Sequence, residues 1–300
     1  MQMFLAAARL GNLTAAAAEL EITQPALSKG LKALETSLGV RLLERGRFGV
    51  APTPFGDALI EHGLVVEAEL RNAVAQIEAL KGATSGHVLV GCGPTEATRL
   101  LPQALMALAE SHPALRVTVL YGLNEALMPM VRQGEVDFAL SSVPPPSGPA
   151  ADAAVLHDRL YAEAGAIVAR AGHPLARRRQ VTPAELLKAR WVLPRRRELE
   201  RLAFDDFFRA QQLEPPTAAV ETTSTVLMKS LVMHGDTLTF IPEELIHWER
   251  RAGQLVALNV AGQDWARWVG ITRRRRGSLS PAARQLVEQI RAVAAALVSG

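Results

Sequence analysis

Three hundred residues with 49% hydrophobic composition suggest about two globular domains and enough chain for a sizeable core. The single cysteine, Cys92, excludes an internal disulfide and suits a reducing compartment. No run of about 18 apolar residues could cross a membrane, and no signal-peptide pattern opens the chain, so the expected location is cytoplasmic. The formal charge is +3, yet residues 1–80 hold 7 Lys+Arg against 9 Asp+Glu. Affinity of that part for a polyanion would therefore rest on a few placed cations, not on bulk charge.

Met1 to Leu10 reads as a short helix with Phe4 and Ala8 on its core side. Asn12 to Leu20 is an Ala-rich helix, Glu21-Ile22-Thr23 a turn, and Gln24 to Glu35 a second helix, which together make a helix-turn-helix. Leu27, Leu31 and Leu34 form one apolar stripe of that second helix. Gln24, Ser28 and Lys32, with Lys29 beside them, lie on another arc and offer amide, hydroxyl and ammonium groups to base edges and phosphates. Two extended pieces around Gly46 and Gly49, with Arg45 and Arg47 near the tip, suggest a small β wing. From Pro54 to Leu80 the chain is helical. Leu59, Gly63, Val66, Leu70, Ala73, Ile77 and Leu80 repeat with alternating spacings of 4 and 3, an a/d seam that argues for pairing with a second helix.

Lys81 to Gly86 is a hinge by composition. Beyond it strands and helices alternate. Strands are expected at His87–Cys92, Leu115–Tyr121, Val136–Ser141, Ala164–Ala169, Arg190–Leu193, Ala219–Thr222, Leu238–Ile241, Leu255–Leu258 and Ala266–Thr272. Helices are expected at Leu100–Ser111, Glu125–Gly134, Leu199–Gln211, Thr225–His234 and Pro242–Arg251, with Ser280-Pro281 capping a last one to about Val298. This rhythm implies an α/β domain with largely parallel sheets.

The order Ala16-Ala17-x-x-Leu20-x-x-x-Gln24-Pro25-Ala26-Leu27-Ser28-Lys29-x-Leu31-Lys32-x-Leu34-Glu35, continued by Leu38-Gly39, Leu42, Arg45 and Thr53-Pro54-x-Gly56, resembles the winged helix-turn-helix of the LysR-type transcriptional regulators. The resemblance is sharp over residues 12–56 and one of pattern only beyond residue 86. It implies a DNA-binding domain over residues 1–54, a linker and dimerisation helix over 55–81, and an effector domain over 86–300. Because the family's first helix usually begins about two turns earlier, it also implies that Met1 to Leu10 is the second half of that helix and that an amino-terminal turn is missing. The effector domain would be two-lobed and like a type 2 periplasmic binding protein, with lobe 1 at about 86–160 and 265–300 and lobe 2 at about 161–264. The partners implied are double-stranded operator DNA, a small polar inducer, further copies of the chain in a dimer of dimers, and RNA polymerase. DNA contacts are expected from Thr14, Thr23, Gln24, Pro25, Ser28, Lys29, Lys32, Arg45, Arg47 and Thr53.

In open α/β sheets ligands lie beyond the carboxyl ends of strands, against helix N-termini. The resemblance places the inducer there, so the candidates are Thr95, Glu96, Thr98, Ser141, Ser142, Arg195, Thr223 and Ser224. Hydroxyls and free N–H groups suit a small anion, with Arg195 as counter-charge. Glu96 opposes an anion unless paired with Arg99 or Arg195, which leaves an amine-bearing or sugar-like ligand open. No nucleophile elbow, zinc motif or phosphate loop occurs, so no catalytic residue, metal or cofactor is expected. The alternative is a small-molecule-binding protein or enzyme on the same α/β lobes without DNA-directed regulation.

Overall fold

The computed structural model describes residues 1–46, 49–82, 85–145 and 152–299. At the amino end lie α1 (Gln2–Leu10), α2 (Leu13–Glu19), α3 (Gln24–Leu38), β1 (Leu43–Gly46) and β2 (Gly49–Pro52). Local chemistry sets each boundary. The Asn12 side chain accepts hydrogen bonds from the Thr14 and Ala15 amides at 2.8 and 3.1 Å, which starts α2. The Thr23 hydroxyl accepts from the Ala26 amide, with proline in the first turn of α3. Gly39, at φ 70°, ends α3 in a left-handed conformation that glycine adopts without steric cost. Phe4, Leu27, Leu31 and Leu42 form the buried centre, and Ala7, Ala16 and Ala17 let the helices approach closely. Glu35 turns back to accept from the Leu42 amide at 2.8 Å and so ties α3 to the wing. The strands β1 and β2 pair antiparallel from Leu43 opposite Pro52 to Gly46 opposite Gly49. Arg47, expected at the wing tip, lies outside the described residues.

Next comes α4 (Pro54–Leu80), a 27-residue helix roughly 40 Å long. It does three things along its length. Its first turns belong to the head: Leu59 packs on the trihelical core, and a Cβ at Gly63 would meet Met1 Sδ at 3.0 Å and the Leu5 side chain at 3.2 Å. Those two seam positions are therefore covered inside the chain, because α1 crosses the helix there. Its second half docks on the carboxy-terminal domain through buried Ala68 and Asn72. A third face leaves Val66, Leu70, Val74, Ile77 and Leu80 exposed.

The rest of the chain builds β3 (Gly86–Cys92), α5 (Leu100–Ser111), β4 (Leu115–Tyr121), α6 (Asn124–Gln133), β5 (Phe138–Val143) and β6 (Val155–Arg170). After these come α7 (Pro183–Leu186), β7 (Arg190–Leu193), α8 (Leu199–Ala210), β8 (Ala218–Glu221), α9 (Thr225–His234) and β9 (Thr237–Pro242). The chain ends with α10 (His247–Arg251), β10 (Leu255–Ala257), β11 (Ala266–Arg274) and α11 (Pro281–Ser299). The strands run in the order β4-β3-β5-β11-β6-β9-β7-β8, with β10 also on β6. Lobe 1 is parallel across β4, β3 and β5 and antiparallel at β11. Lobe 2 is parallel across β8, β7 and β9.

One strand joins the lobes. The first part of β6 pairs with β11 through Ala164, and from Gly165 it pairs with β9. Sequence periodicity shows only Ala164–Ala169 because the first half of β6 mixes polar and apolar residues. The helix expected over Pro242–Arg251 divides into a 3₁₀ turn, Glu243–Ile246, followed by α10. Each lobe has its own core: α5 and α11 cover lobe 1, and Trp191, Phe204 and Phe208 pack edge-to-face in lobe 2.

Candidate nucleic-acid interface and ligand cleft

Around α3, Pro25, Lys29 and Lys32 are exposed, while Gln24 and Ser28 are half-buried. Gln24 donates from Nε2 to Ser28 Oγ at 3.0 Å, one helical turn apart, so amide and hydroxyl are held as one unit at the start of the helix. Thr14 and Thr23 are exposed beside them at the starts of α2 and α3. A groove lined by Ser28, Lys29, Lys32 and Arg41 runs between α3 and the wing. Arg41 was not singled out from sequence, since an arginine between a helix and a strand carries no periodic signal. Arg45 lies on β1.

Thr53 has a different position from the one expected. Its hydroxyl donates to the Arg41 carbonyl at 2.7 Å and accepts from the Gly56 amide at 3.1 Å, and the residue is 6% exposed. It is the buried cap of α4, and its hydroxyl is used inside the chain as both donor and acceptor.

Between the lobes lies a cavity of about 520 Å³, within the range of small-molecule sites. Glu96, Ser141 and Ser142 line it, as expected, together with Arg267, Arg197, Glu198 and Glu200. A smaller recess beside it is lined by Thr95 and Thr223. Three expected residues sit elsewhere. Arg195 is exposed and outside the lining of either space. Ser224 uses its hydroxyl to cap α9, accepting from the Leu227 amide at 3.3 Å. Thr98 donates to the Pro94 carbonyl, and its own carbonyl accepts from Trp248 Nε1 at 3.3 Å, a contact that spans the lobes.

The charged centre of the cleft is Arg267 on β11. Its Nη2 lies 3.1 Å from Glu96 Oε1 and its Nη1 3.5 Å from Glu200 Oε1, while Nε is bonded to Glu163. Neither partner expected for Glu96 holds it: Arg99 instead makes a two-pronged bridge to Glu244 of lobe 2. Burial raises the Glu96 carboxyl above the usual range despite Arg267. Burial likewise pushes Glu163 up to about 7, opposed by Arg267 and reinforced by Glu96. Cys92 is fully buried, its thiol 3.3 Å from the Gly93 carbonyl, and burial drives its pKa upward. It is a packed thiol, not a thiolate.

Two family models cover these two parts. Residues 1–57 match the bacterial regulatory helix-turn-helix protein, lysR family, and residues 81–295 match the LysR substrate binding domain. The chain belongs to the LysR family of transcriptional regulators. Among relatives of this LysR-type regulator, HTH-type transcriptional regulator GbpR of Azospirillum brasilense is 32% identical, covering 97% of this chain and 85% of that protein. HTH-type transcriptional regulator GalR of Pseudomonas putida is 30% identical, covering 98% and 73%. In fold it is similar to full-length OxyR from Pseudomonas aeruginosa, with a TM-score of 0.73 at 23% identity, covering 97% and 96% of the two chains. It is also similar to full-length CbnR in complex with its target DNA, with a TM-score of 0.56 at 22% identity and 98% of both chains covered. This LysR-type chain is thus a DNA-binding transcriptional regulator with a small-molecule-binding domain, and its relatives are regulators and not enzymes. Among its described residues no helix is long and apolar enough to cross a membrane.

Proposed function

We propose that this regulator reads its operator through α3 and senses a small molecule in the cleft between its lobes. The observation that carries the first part is the exposed arc of α3 beginning at the coupled Gln24–Ser28 pair. Gln24 and Ser28 read base edges, Pro25 touches apolar base atoms, and Lys29 and Lys32 hold phosphates or a guanine edge. Thr14 and Thr23 steady the backbone beside them, and the wing, with Arg45 on β1, contributes positive charge toward flanking DNA.

Two heads come together through the exposed stripe Val66, Leu70, Ala73, Ile77 and Leu80 of α4, and two such dimers form the tetramer. The protein works in the cytoplasm. RNA polymerase remains a partner implied by the family, with no surface assigned to it. Glu96, Ser141, Ser142 and Arg267 form the wall of the main ligand chamber, and Thr95 and Thr223 that of its recess. A ligand shifts the regulator only if it binds one arrangement of lobes better than the other.

Fluorescence anisotropy on the DNA upstream of the gene, in a salt series, tests the reading head. Wild type is expected to bind tightly with strong salt dependence. The Gln24→Ala/Ser28→Ala double variant should lose its preference over random duplex by roughly 10- to 100-fold, at about 1–3 kcal/mol for a lost base contact. An unchanged preference in that variant would remove α3 from base readout.

A further inference from the structure

Resting on the reading of this cleft as the effector site, we infer that the effector is a small organic cation, an amine or amidine nitrogen on a short apolar body. The argument begins at Arg267. Each of its three nitrogens already faces a carboxylate, from Glu96, Glu163 and Glu200. A ligand carboxylate approaching it would have to displace one of them and sit among the other two. The fork that usually recognises an anion is already occupied from within.

The remaining charges lean the same way. Glu125 and Glu198 also line the cavity. Arg132 on its wall is bonded to Asp152 at 2.6 Å, which leaves Arg197 as its other cation among the described lining residues. The N-termini of α6 and α8 open on the cleft, and each contributes about half a positive charge. Their own first-turn acids, Glu125 and Glu200, already answer those ends. On the wall Arg197, Arg267 and the two helix ends stand against Glu96, Glu125, Glu198 and Glu200, with Glu163 behind Arg267. Acidic groups thus outnumber the free cations around the chamber, even though burial raises the Glu96 and Glu198 carboxyls.

An independent observation comes from Ser141. It is 2% exposed, stands on the cavity wall, and its Oγ has no hydrogen-bond partner among the described residues. A buried hydroxyl left unmet is costly. It can accept from an N–H donor or donate to an acceptor, so it marks a polar ligand contact on this wall, with the charge of that ligand set by the carboxylates. Leu123, Met128 and Leu199 line the same space and suit an apolar body.

The test uses the full chain and two sets of molecules alike in shape and unlike in charge: benzylamine, benzyl alcohol and benzoate, then putrescine, butanediol and succinate. Calorimetric titration at millimolar concentration is expected to favour the amines by at least about tenfold over both counterparts. That preference should fall in Glu200→Gln and vanish in Glu198→Gln/Glu200→Gln, with their ligand-free melting temperatures as the check on folding. Preference for an anion or a neutral member, or no binding by any of the six, overturns the assignment. Promoter-DNA anisotropy with the bound amine separates the two readings. Amine binding that leaves DNA binding and transcription unchanged would retain the charge class and overturn the cleft's role as effector site.

Discussion

At the residue scale, the unusual group is Glu163, a carboxyl held between lobes at the back of the Arg267 cluster. Its Oε2 has no partner among the described residues, and its pKa rises from the ordinary 4.5 to about 7. The folded state therefore holds more protons than the unfolded chain between those values, so stability from this group is full below about pH 4.5 and declines as pH rises through 7. A rise of that size corresponds to a loss on the order of 3 kcal/mol. Glu163→Gln keeps an oxygen for Arg267 Nε but cannot ionise, and should flatten that part of the profile. Urea midpoints for both proteins at pH 5 and pH 7.5 check this. Parallel pH slopes in the two would show that Glu163 titrates normally. This cluster was hidden in the sequence for a simple reason. Glu96 and Arg267 are 171 residues apart, and isolated charges carry no period that announces a partner. Glu96 was legible as a cleft residue because it follows a strand, but its cation was not.

At the scale of elements, what was legible was what is decided locally. The helix-turn-helix is set by caps and apolar spacing within some forty residues, and its boundaries follow the side chains of Asn12 and Thr23. Thr53 shows the limit of that signal: the same hydroxyl that marks a helix start in the sequence is consumed as its cap. The heptad pattern of α4 was similarly real but shared between uses. Leu59 and Gly63 face the head, so periodicity alone overstated the seam by its first two positions. The remaining exposed stripe should decide oligomeric state. Leu70 and Ile77, 57% and 53% exposed, contribute about 1.5–3 kcal/mol each when such side chains become fully buried. Leu70→Asp/Ile77→Asp is expected to shift the protein toward monomer by sedimentation velocity while its circular dichroism spectrum keeps the wild-type shape, with a lower melting temperature that no longer rises with protein concentration. Leu59→Ala should do the reverse, destabilising the head by about 1–3 kcal/mol, as for a partly buried side chain, without changing the oligomer. An aspartate double variant that stays fully assembled would move the interface to another surface.

For the whole molecule, the question is how an event between the lobes reaches a head on the far side of α4. The structure ties α4 to lobe 1 at several points. Asn72, 6% exposed, donates from Nδ2 to the Ser278 carbonyl at 2.9 Å. Arg71 donates to the Gly134 carbonyl at 2.9 Å, and Arg274 pairs with Glu69 at 3.2 Å. These are polar anchors on a helix whose exposed apolar stripe points elsewhere, so the helix and lobe 1 are expected to move as one body. Lobe 2 joins lobe 1 through β6, the chain between β10 and β11, the Arg99–Glu244 bridge, the Arg267–Glu200 pair and the Trp248–Thr98 bond. A change of angle between the lobes would therefore have to bend β6 and strain these ties. Asn72→Ala tests the anchoring. It removes a part-buried hydrogen bond, at a cost of about 0.5–1.5 kcal/mol, and removes no residue of the reading head or the ligand chamber. Hydrogen exchange should quicken over residues 66–78 and in the 277–280 turn, while the amides of α3 keep wild-type protection. DNA affinity without effector should stay near wild type, and ligand-dependent changes in the footprint should weaken, because the rod would no longer follow the lobe. Unchanged exchange over 66–78 would mean that the apolar contacts around Ala68 hold the helix by themselves, and the polar anchors would then have no part in coupling.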